Sequence, residues 1–449
     1  MRFSLNEHTY LRYAGGETLL WNKRTYACRI LKEAQAFLHP IEQGEKKELE
    51  EIVAEVAQVF DLLPQEVAED VRAFYTELAA ATFLNLDSEE EAAVLLPQNA
   101  PISTPKDKDE DEQPFPLATF YERHALPSSL HIDLTNACTE RCIHCYIADY
   151  KPRFLPLEVG QRVLREFREA RGLTVMFSGG ECMLHPQFHE FLIYAKSLNL
   201  NFIVLSNLTR CDADMVAFLA EVQPQFVNVS LYSMSAAEHD TITTVPGSWE
   251  KTMRAILALE EAGVPVRLAS PIMQANRHAL PELQEFAKAH RMHLIPDCDI
   301  FGQVDHDCSN QSCALSPAET ECVWREHLDL FYKAPLSPKR CAPDAKVCDI
   351  GKHSINLNAE GIYYPCDGCH GIVLGNAYEQ SFAEVWHGEP IQALRALRNQ
   401  DFGECAHCEH RPWCKVCPTR NFNETTDMLC HTSARCQAAQ IRRKIFNKH

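Results

Sequence analysis

Asn136-Ala-Cys138-Thr-Glu-Arg-Cys142-Ile-His144-Cys145-Tyr146 follows directly on an apolar run at 130–134, and its reading decides the fold. Three cysteines in a C-x3-C-x2-C arrangement can wrap one face of a cuboidal iron–sulfur cluster, leaving one iron without a protein ligand. A zinc site is the rival, and it wants a fourth Cys or His close by. His144 is the only nearby candidate, and its place between two ligands makes that geometry strained.

Outward from this stretch, short apolar runs alternate with helical patterns. Strands are predicted at 130–134, 174–177, 202–205, 226–231, 266–269 and 293–295, with helices beginning near Pro156, Pro186, Asp212, Ser248 and Leu280. Near-continuous apolar strands separated by helices imply a parallel sheet covered by helices. Six such units predict an α/β fold, a partial (β/α)6 barrel with its chemistry at the strand C-terminal ends. The second strand ends in Phe177-Ser-Gly179-Gly180-Glu181-Cys182, where paired glycines permit close backbone approach and Glu181 offers a carboxylate to an ammonium group. Ser206-Asn207 ends the third strand, and Ser230 with Tyr232-Ser233 ends the fourth. These suit a ribose or an amino-acid carboxylate.

The chain has 449 residues, a net charge of −19 and 20 cysteines. That length predicts more than one domain. The acidic balance argues against nucleic acid or an anionic membrane as partner. Neither a secretory signal nor an apolar run long enough to cross a bilayer is expected, so the chain reads as cytoplasmic. Thiols stay reduced there, and so many cysteines point to metal or cluster ligation. Cys28, Cys182, Cys211 and Cys322 read instead as packed apolar thiols.

Before the barrel, Gly15-Gly16 joins two strand patterns as a hairpin. Two helices follow, the first with Leu49, Ile52, Val53, Val56 and Phe60 on one face, the second with Val67, Val71, Phe74 and Leu78. Residues 1–86 thus form an α+β module, and 87–128 a solvated linker that includes the charge run between Pro105 and Pro114. The barrel takes 129–300, a bridging region 301–340, and a cysteine-rich domain 341–449. Metal, rather than a large apolar core, is expected to hold that last domain together.

The C-x3-C-x2-C motif, Gly179-Gly180-Glu181, Val229-Ser-Leu-Tyr-Ser233 and Val245-Pro-Gly-Ser-Trp-Glu250 together resemble the radical S-adenosylmethionine superfamily, from about Leu130 to Ile295. The resemblance implies that Cys138, Cys142 and Cys145 hold a 4Fe–4S cluster that binds S-adenosylmethionine. Gly179, Gly180, Glu181, Ser206, Asn207 and Ser230 would contact that cofactor.

The later order Cys341, Cys348, Gly361, Cys366, then Cys405-x2-Cys408-x5-Cys414-x2-Cys417, resembles the SPASM auxiliary-cluster domain. It implies two more 4Fe–4S clusters. Cys341, Cys348, Cys366 and Cys417 would hold one; Cys405, Cys408 and Cys414, with Cys430 or Cys436, the other. Lys415-Val416 supplies two residues where that family usually has three. Asp367 follows Cys366 as the proposed base does in sulfatase-maturing relatives, although a turn aspartate fits equally. Cys369 reads as a hydrogen-atom donor, an alternative ligand or a packed thiol.

Residues 9–84 resemble the winged-helix recognition module of ribosomal-peptide maturases, related to the pyrroloquinoline-quinone chaperone. The implied activity is hydrogen abstraction from a ribosomally made precursor peptide with a leader, forming a thioether or other cross-link, with flavodoxin or ferredoxin as electron donor. Formylglycine formation, peptide epimerisation and a non-catalytic zinc or electron-transfer protein are the alternatives.

Overall fold

In the computed structural model the chain forms two compact units, 1–126 and 127–449. The structure describes residues 1–42, 44–87, 116–331 and 338–446. The charge run between Pro105 and Pro114 lies outside them.

In the first unit, strands Thr9–Ala14 and Glu17–Asn22 pair as the predicted hairpin, and Cys28–Lys32 adds a third strand. Gly15 and Gly16 both take positive φ, +54° and +76°, which a tight two-residue turn of this hand requires. A second small sheet sets Arg2–Leu5 between Lys47–Glu48 and Leu84–Asp87. Helices Leu49–Phe60 and Pro64–Ala80 close over it. Phe3, Ile52, Val56, Val71 and Tyr75 fill the core. Two expected core positions differ: Phe60 is exposed at the end of its helix, and Tyr75 is fully buried while Phe74 is only partly so. The end of the expected linker is also structured. Helix Pro116–Arg123 belongs to the first unit, with Phe120 buried and His124 Nε2 3.0 Å from Glu17.

The second unit is built on one nine-stranded sheet. Its strands are β1 (Ser129–Thr135), β2 (Thr174–Gly179), β3 (Asn201–Ser206), β4 (Val227–Ser230), β5 (Val266–Pro271), β6 (His293–Asp297), β7 (Ser354–Leu357), β8 (Ile362–Tyr364) and β9 (Gly375–Asn376). β1 to β6 lie side by side in chain order, all parallel, as the α/β reading requires. Helices Leu157–Glu169, Phe188–Ser197, Ala213–Val222, Ser248–Glu261 and Leu280–Ala289 connect them. Leu130, Ile132 and Leu134 of β1 pack in the apolar core, and by the two-residue period of a strand His131, Asp133 and Thr135 take the opposite face.

The cysteine-rich region is not a separate piece but shares the barrel's sheet and core. β7 pairs in parallel with β1 and carries β8 and β9 as an antiparallel extension. Ile355, Leu357, Tyr363, Phe382, Val385 and Trp386 join the same apolar cluster as the barrel strands. Short elements spread these apolar residues too thinly for a periodic signal, which is why the sequence suggests otherwise.

Candidate active site at the strand ends

The cysteine loop leaves β1 and is held by main-chain bonds from two sides. Arg141 N and Ile143 N donate to the carbonyls of Thr243 and Ile242, each at 3.0 Å, at the end of helix Ala236–Thr243. Asn310 Nδ2, in the bridging region, donates to the carbonyls of His144 at 3.1 Å and Cys145 at 3.3 Å. The glycine pair supports the loop from below. Gly180 N donates to Thr135 O at 2.7 Å and Glu181 N to Ala137 O at 2.8 Å. A Cβ on Gly179, whose φ is +131°, would meet the Thr135 oxygen at 2.1 Å, and one on Gly180 the Ala137 oxygen at 2.3 Å. The glycines therefore let β2 press against the segment that carries the cysteines.

Cys138, Cys142 and Cys145 line a cavity of about 360 Å³ at the C-terminal strand ends, together with Gly179, Gly180, Ser206, Asn207 and Ser230. Five of the six predicted cofactor contacts thus meet the three thiols. Glu181 does not line it. Its buried carboxylate accepts from Ser206 Oγ at 2.8 Å, Asn207 N at 2.8 Å and Met183 N at 3.0 Å, tying β2 to β3. Three donors thus engage the acid that the sequence offered to an ammonium group. Glu140 faces the cavity instead, 2% exposed, with Oε1 lacking a hydrogen-bond partner among the described residues. Burial pushes its carboxyl up to about 7. His144 also lines the cavity, its Nδ1 without a hydrogen-bond partner among the described residues and its ring edge-on to Tyr232 at 5.1 Å.

This donor set fits an iron–sulfur cluster with an open iron. Burial raises the Cys138 thiol to about 12 and the other two above their usual range, so the thiolates need a bound cation to form. Asn207 Nδ2, 3.8 Å from Cys138 Sγ, and the Tyr232 hydroxyl, 3.5 Å from Cys142 Sγ, can donate to sulfur. Among the described residues, no three His, Cys, Asp or Glu side chains are grouped as a single metal ion requires.

Farther along, Cys405, Cys408, Cys414 and Cys436 line a second cavity, of about 400 Å³. Cys430 is outside it, exposed and donating to Asp427 Oδ2 at 3.3 Å. Of the two candidates that spacing left, Cys436 shares this cavity. Cys436→Ala is expected to remove one cluster's iron from reconstituted protein, and Cys430→Ala none; iron and sulfide analysis checks this. Cys348 and Cys366 both lie within electrostatic reach of Cys417. Cys341 is set apart, on the short helix Pro338–Cys341 with Arg411 as its charged neighbour.

Residues 132–287 match the radical SAM superfamily, and 348–409 match SPASM, an iron–sulfur cluster-binding domain. The chain is a radical SAM enzyme with a SPASM domain. Its cofactors are S-adenosylmethionine and 4Fe–4S clusters. Among its relatives, the AdoMet-dependent heme synthase of Methanosarcina barkeri is 24% identical over 68% of this chain and 94% of its own length. The antilisterial bacteriocin subtilosin biosynthesis protein AlbA of Bacillus subtilis is 24% identical over 84% of this chain and 82% of its own. Crystal structures of Streptococcus suis SuiB, bound to S-adenosylmethionine or to precursor peptide SuiA, superpose with a TM-score of 0.63 over 97% of this chain and 100% of theirs, at 17% and 16% identity.

Other residues of this radical SAM enzyme escaped the sequence reading. Asp297 and Asp299, at and just past the end of β6, line the barrel cavity, and the polar-strand-end rule applied to β3 and β4 would have found them. Asp367 is not a free carboxylate. Its Oδ1 lies 3.1 Å from His131 Nδ1, an ion-pair distance not aligned as a hydrogen bond, and accepts from Asn356 Nδ2. His131 Nε2 is 3.1 Å from Asp133, which also accepts from the Tyr364 hydroxyl and lies 3.8 Å from His370 Nε2. Partial desolvation would raise the Asp367 carboxyl, whose side chain is still 54% exposed, but His131 and Asn356 hold it down to about 2. A carboxylate that low is a poor general base. Cys369 is fully buried beside Thr419 and Cys417 and does not line the barrel cavity.

Proposed function

We propose that this enzyme modifies a ribosomally made precursor peptide. Cys138, Cys142 and Cys145 hold the first cluster; Cys348, Cys366 and Cys417, with Cys341, the second; Cys405, Cys408, Cys414 and Cys436 the third. Bound at the first set, a reduced 4Fe–4S cluster and S-adenosylmethionine would supply the radical chemistry for removing a hydrogen atom from the substrate. The chain's own residues bind and orient. Gly179 and Gly180 bring the cavity floor against the cysteine loop, while Ser206, Asn207 and Ser230 offer hydrogen bonds to the cofactor's polar groups.

What carries the reading is the meeting of a three-thiol loop and a polar cavity at the strand ends of a chain with two further cysteine sets. The peptide substrate is supported by the reach of the likenesses. AlbA and SuiB match 84% and 97% of this chain, against 68% for the heme synthase. The first unit offers two small sheets with edge strands, to which a leader can add a strand. Cross-link formation, with a flavodoxin or ferredoxin donor, is the favoured outcome.

The test is anaerobic incubation with dithionite, S-adenosylmethionine and the short peptide encoded beside the gene. 5′-Deoxyadenosine and a peptide lighter by a pair of hydrogen atoms are expected. A mass change in added iron-coproporphyrin, with none in the peptide, would move the assignment to the heme branch. Removal of 1–87 is expected to stop processing of full-length precursor, which a formylglycine-forming enzyme would survive.

A further inference from the structure

The two cavities of the second unit are joined by one buried ionic chain. Asp299 lines the barrel cavity, and its carboxylate accepts from Arg435 Nη1 at 2.9 Å and from Arg420 Nη1 at 3.1 Å. Arg435 is 8% exposed and also lines the cavity bounded by Cys405, Cys408, Cys414 and Cys436. Its Nε has no hydrogen-bond partner among the described residues. Arg411, equally sequestered, lines the same cavity and donates to the Cys414 carbonyl at 2.7 Å. Arg442 adds a third buried cation whose charge reaches Cys414. The carboxylates on this cavity, Glu404 and Glu409, are exposed, and Glu409 is paired with Arg443. In the other cysteine set Asp367 acts on Cys366 and Asp349 on Cys348, while the charge of Arg435 also reaches Cys417.

We propose that Arg435, anchored by Asp299, raises the reduction potential of the cluster held by Cys405, Cys408, Cys414 and Cys436. The inference rests on the ligand assignment proposed above. A cluster with four thiolate ligands is anionic and gains one more negative charge on reduction. A buried guanidinium favours the more negative form, and low local dielectric magnifies the effect. Asp299 holds Arg435 in place and offsets part of its charge, so the two residues act on the potential with opposite signs. Arg435 is thus a positioning and tuning residue that links the barrel cavity to this cluster without touching the reacting atoms.

Potentiometric titration of the reconstituted full-length chain, followed by electron paramagnetic resonance, tests this after iron and sulfide are measured. Arg435→Gln is expected to make this cluster's potential more negative by at least a tenfold change in electron affinity, about 59 mV for one electron. Arg435→Lys should restore most of the shift. Asp299→Asn is expected to move the potential the other way. Unchanged potentials in a fully loaded Arg435→Gln protein would overturn the inference and leave the ligand assignment standing. If Arg435→Gln fails to hold the cluster, Asp299→Asn decides: a positive shift supports the inference and none overturns it. Absence of the auxiliary signal in the unaltered chain, or its persistence in Cys414→Ala, would overturn the assignment itself.

Discussion

Replacing Cys138, Cys142 and Cys145 together by alanine is expected to abolish reductive cleavage of S-adenosylmethionine, a fall of about 10⁶-fold or more, the low end of what enzymes contribute over background. The three thiols sit on one loop and face one cavity, so they act as a unit and their separate losses will not add. The fold should survive the change. The loop is fixed by main-chain bonds from Arg141 and Ile143 to the end of helix Ala236–Thr243, and by Asn310 on the carbonyls of His144 and Cys145. None of these uses a sulfur atom. Auxiliary iron and the thermal midpoint should therefore change little, while 5′-deoxyadenosine from dithionite-reduced protein drops to background. Cleavage that persisted in the triple variant under strict anaerobiosis would place the radical-generating site elsewhere in the chain.

How far the sequence reveals this site depends on how local each signal is. The cysteine triplet, the glycine pair and the polar ends of β3 and β4 each lie within a few residues of a strand, and the parallel order of β1 to β6 brings them to one mouth. What escaped is either weakly patterned or distant in sequence. Helix Ala236–Thr243, Ala-Ala-Glu-His-Asp-Thr-Ile-Thr, combines β-branched residues with no clean apolar face, yet its last carbonyls anchor the cysteine loop. β7 is four residues long in a stretch dominated by cysteine and glycine, and only its pairing with β1 identifies it as a strand. Glu181 and Glu140 are both acids near the motif, and the sequence favours the first. Only the fold shows that Ser206 and two backbone amides occupy Glu181 while Glu140 faces the cavity. Cys322, read as a packed thiol, is exposed on helix Pro317–Glu326, where one polar face was indistinguishable from a buried one.

The ionic group around His131 joins residues more than 200 positions apart, which no local pattern can reveal, and it leads to the other large expected effect. His131→Leu should destabilise the second unit by about 3–5 kcal/mol, the usual result of stripping one partner from a buried pair. His131 is 2% exposed and stands between Asp133 and Asp367. Burial alone would lower the pKa of its ring, but the two carboxylates outweigh it and leave the ring well above its ordinary value. Asp133 shifts the other way: burial would raise it, and His131, His370 and Tyr364 depress it. The signs set the pH window. A raised histidine contributes stability that is complete below about 6.5 and lost as pH climbs through its folded value, and a depressed aspartate contributes above about 3.9 and loses it in acid. The wild-type advantage over His131→Leu should therefore be greatest between those limits and shrink on both sides. Thermal midpoints of anaerobically handled proteins across that range measure it. His131→Leu/Asp133→Leu removes both charges together and should recover much of the loss, because a paired apolar replacement leaves no buried acid uncompensated. Equal midpoints for wild type and His131→Leu, or a double variant as unstable as the sum of its singles, would show that the pair is not coupled and that strand pairing and apolar packing alone join β1 to the SPASM strands.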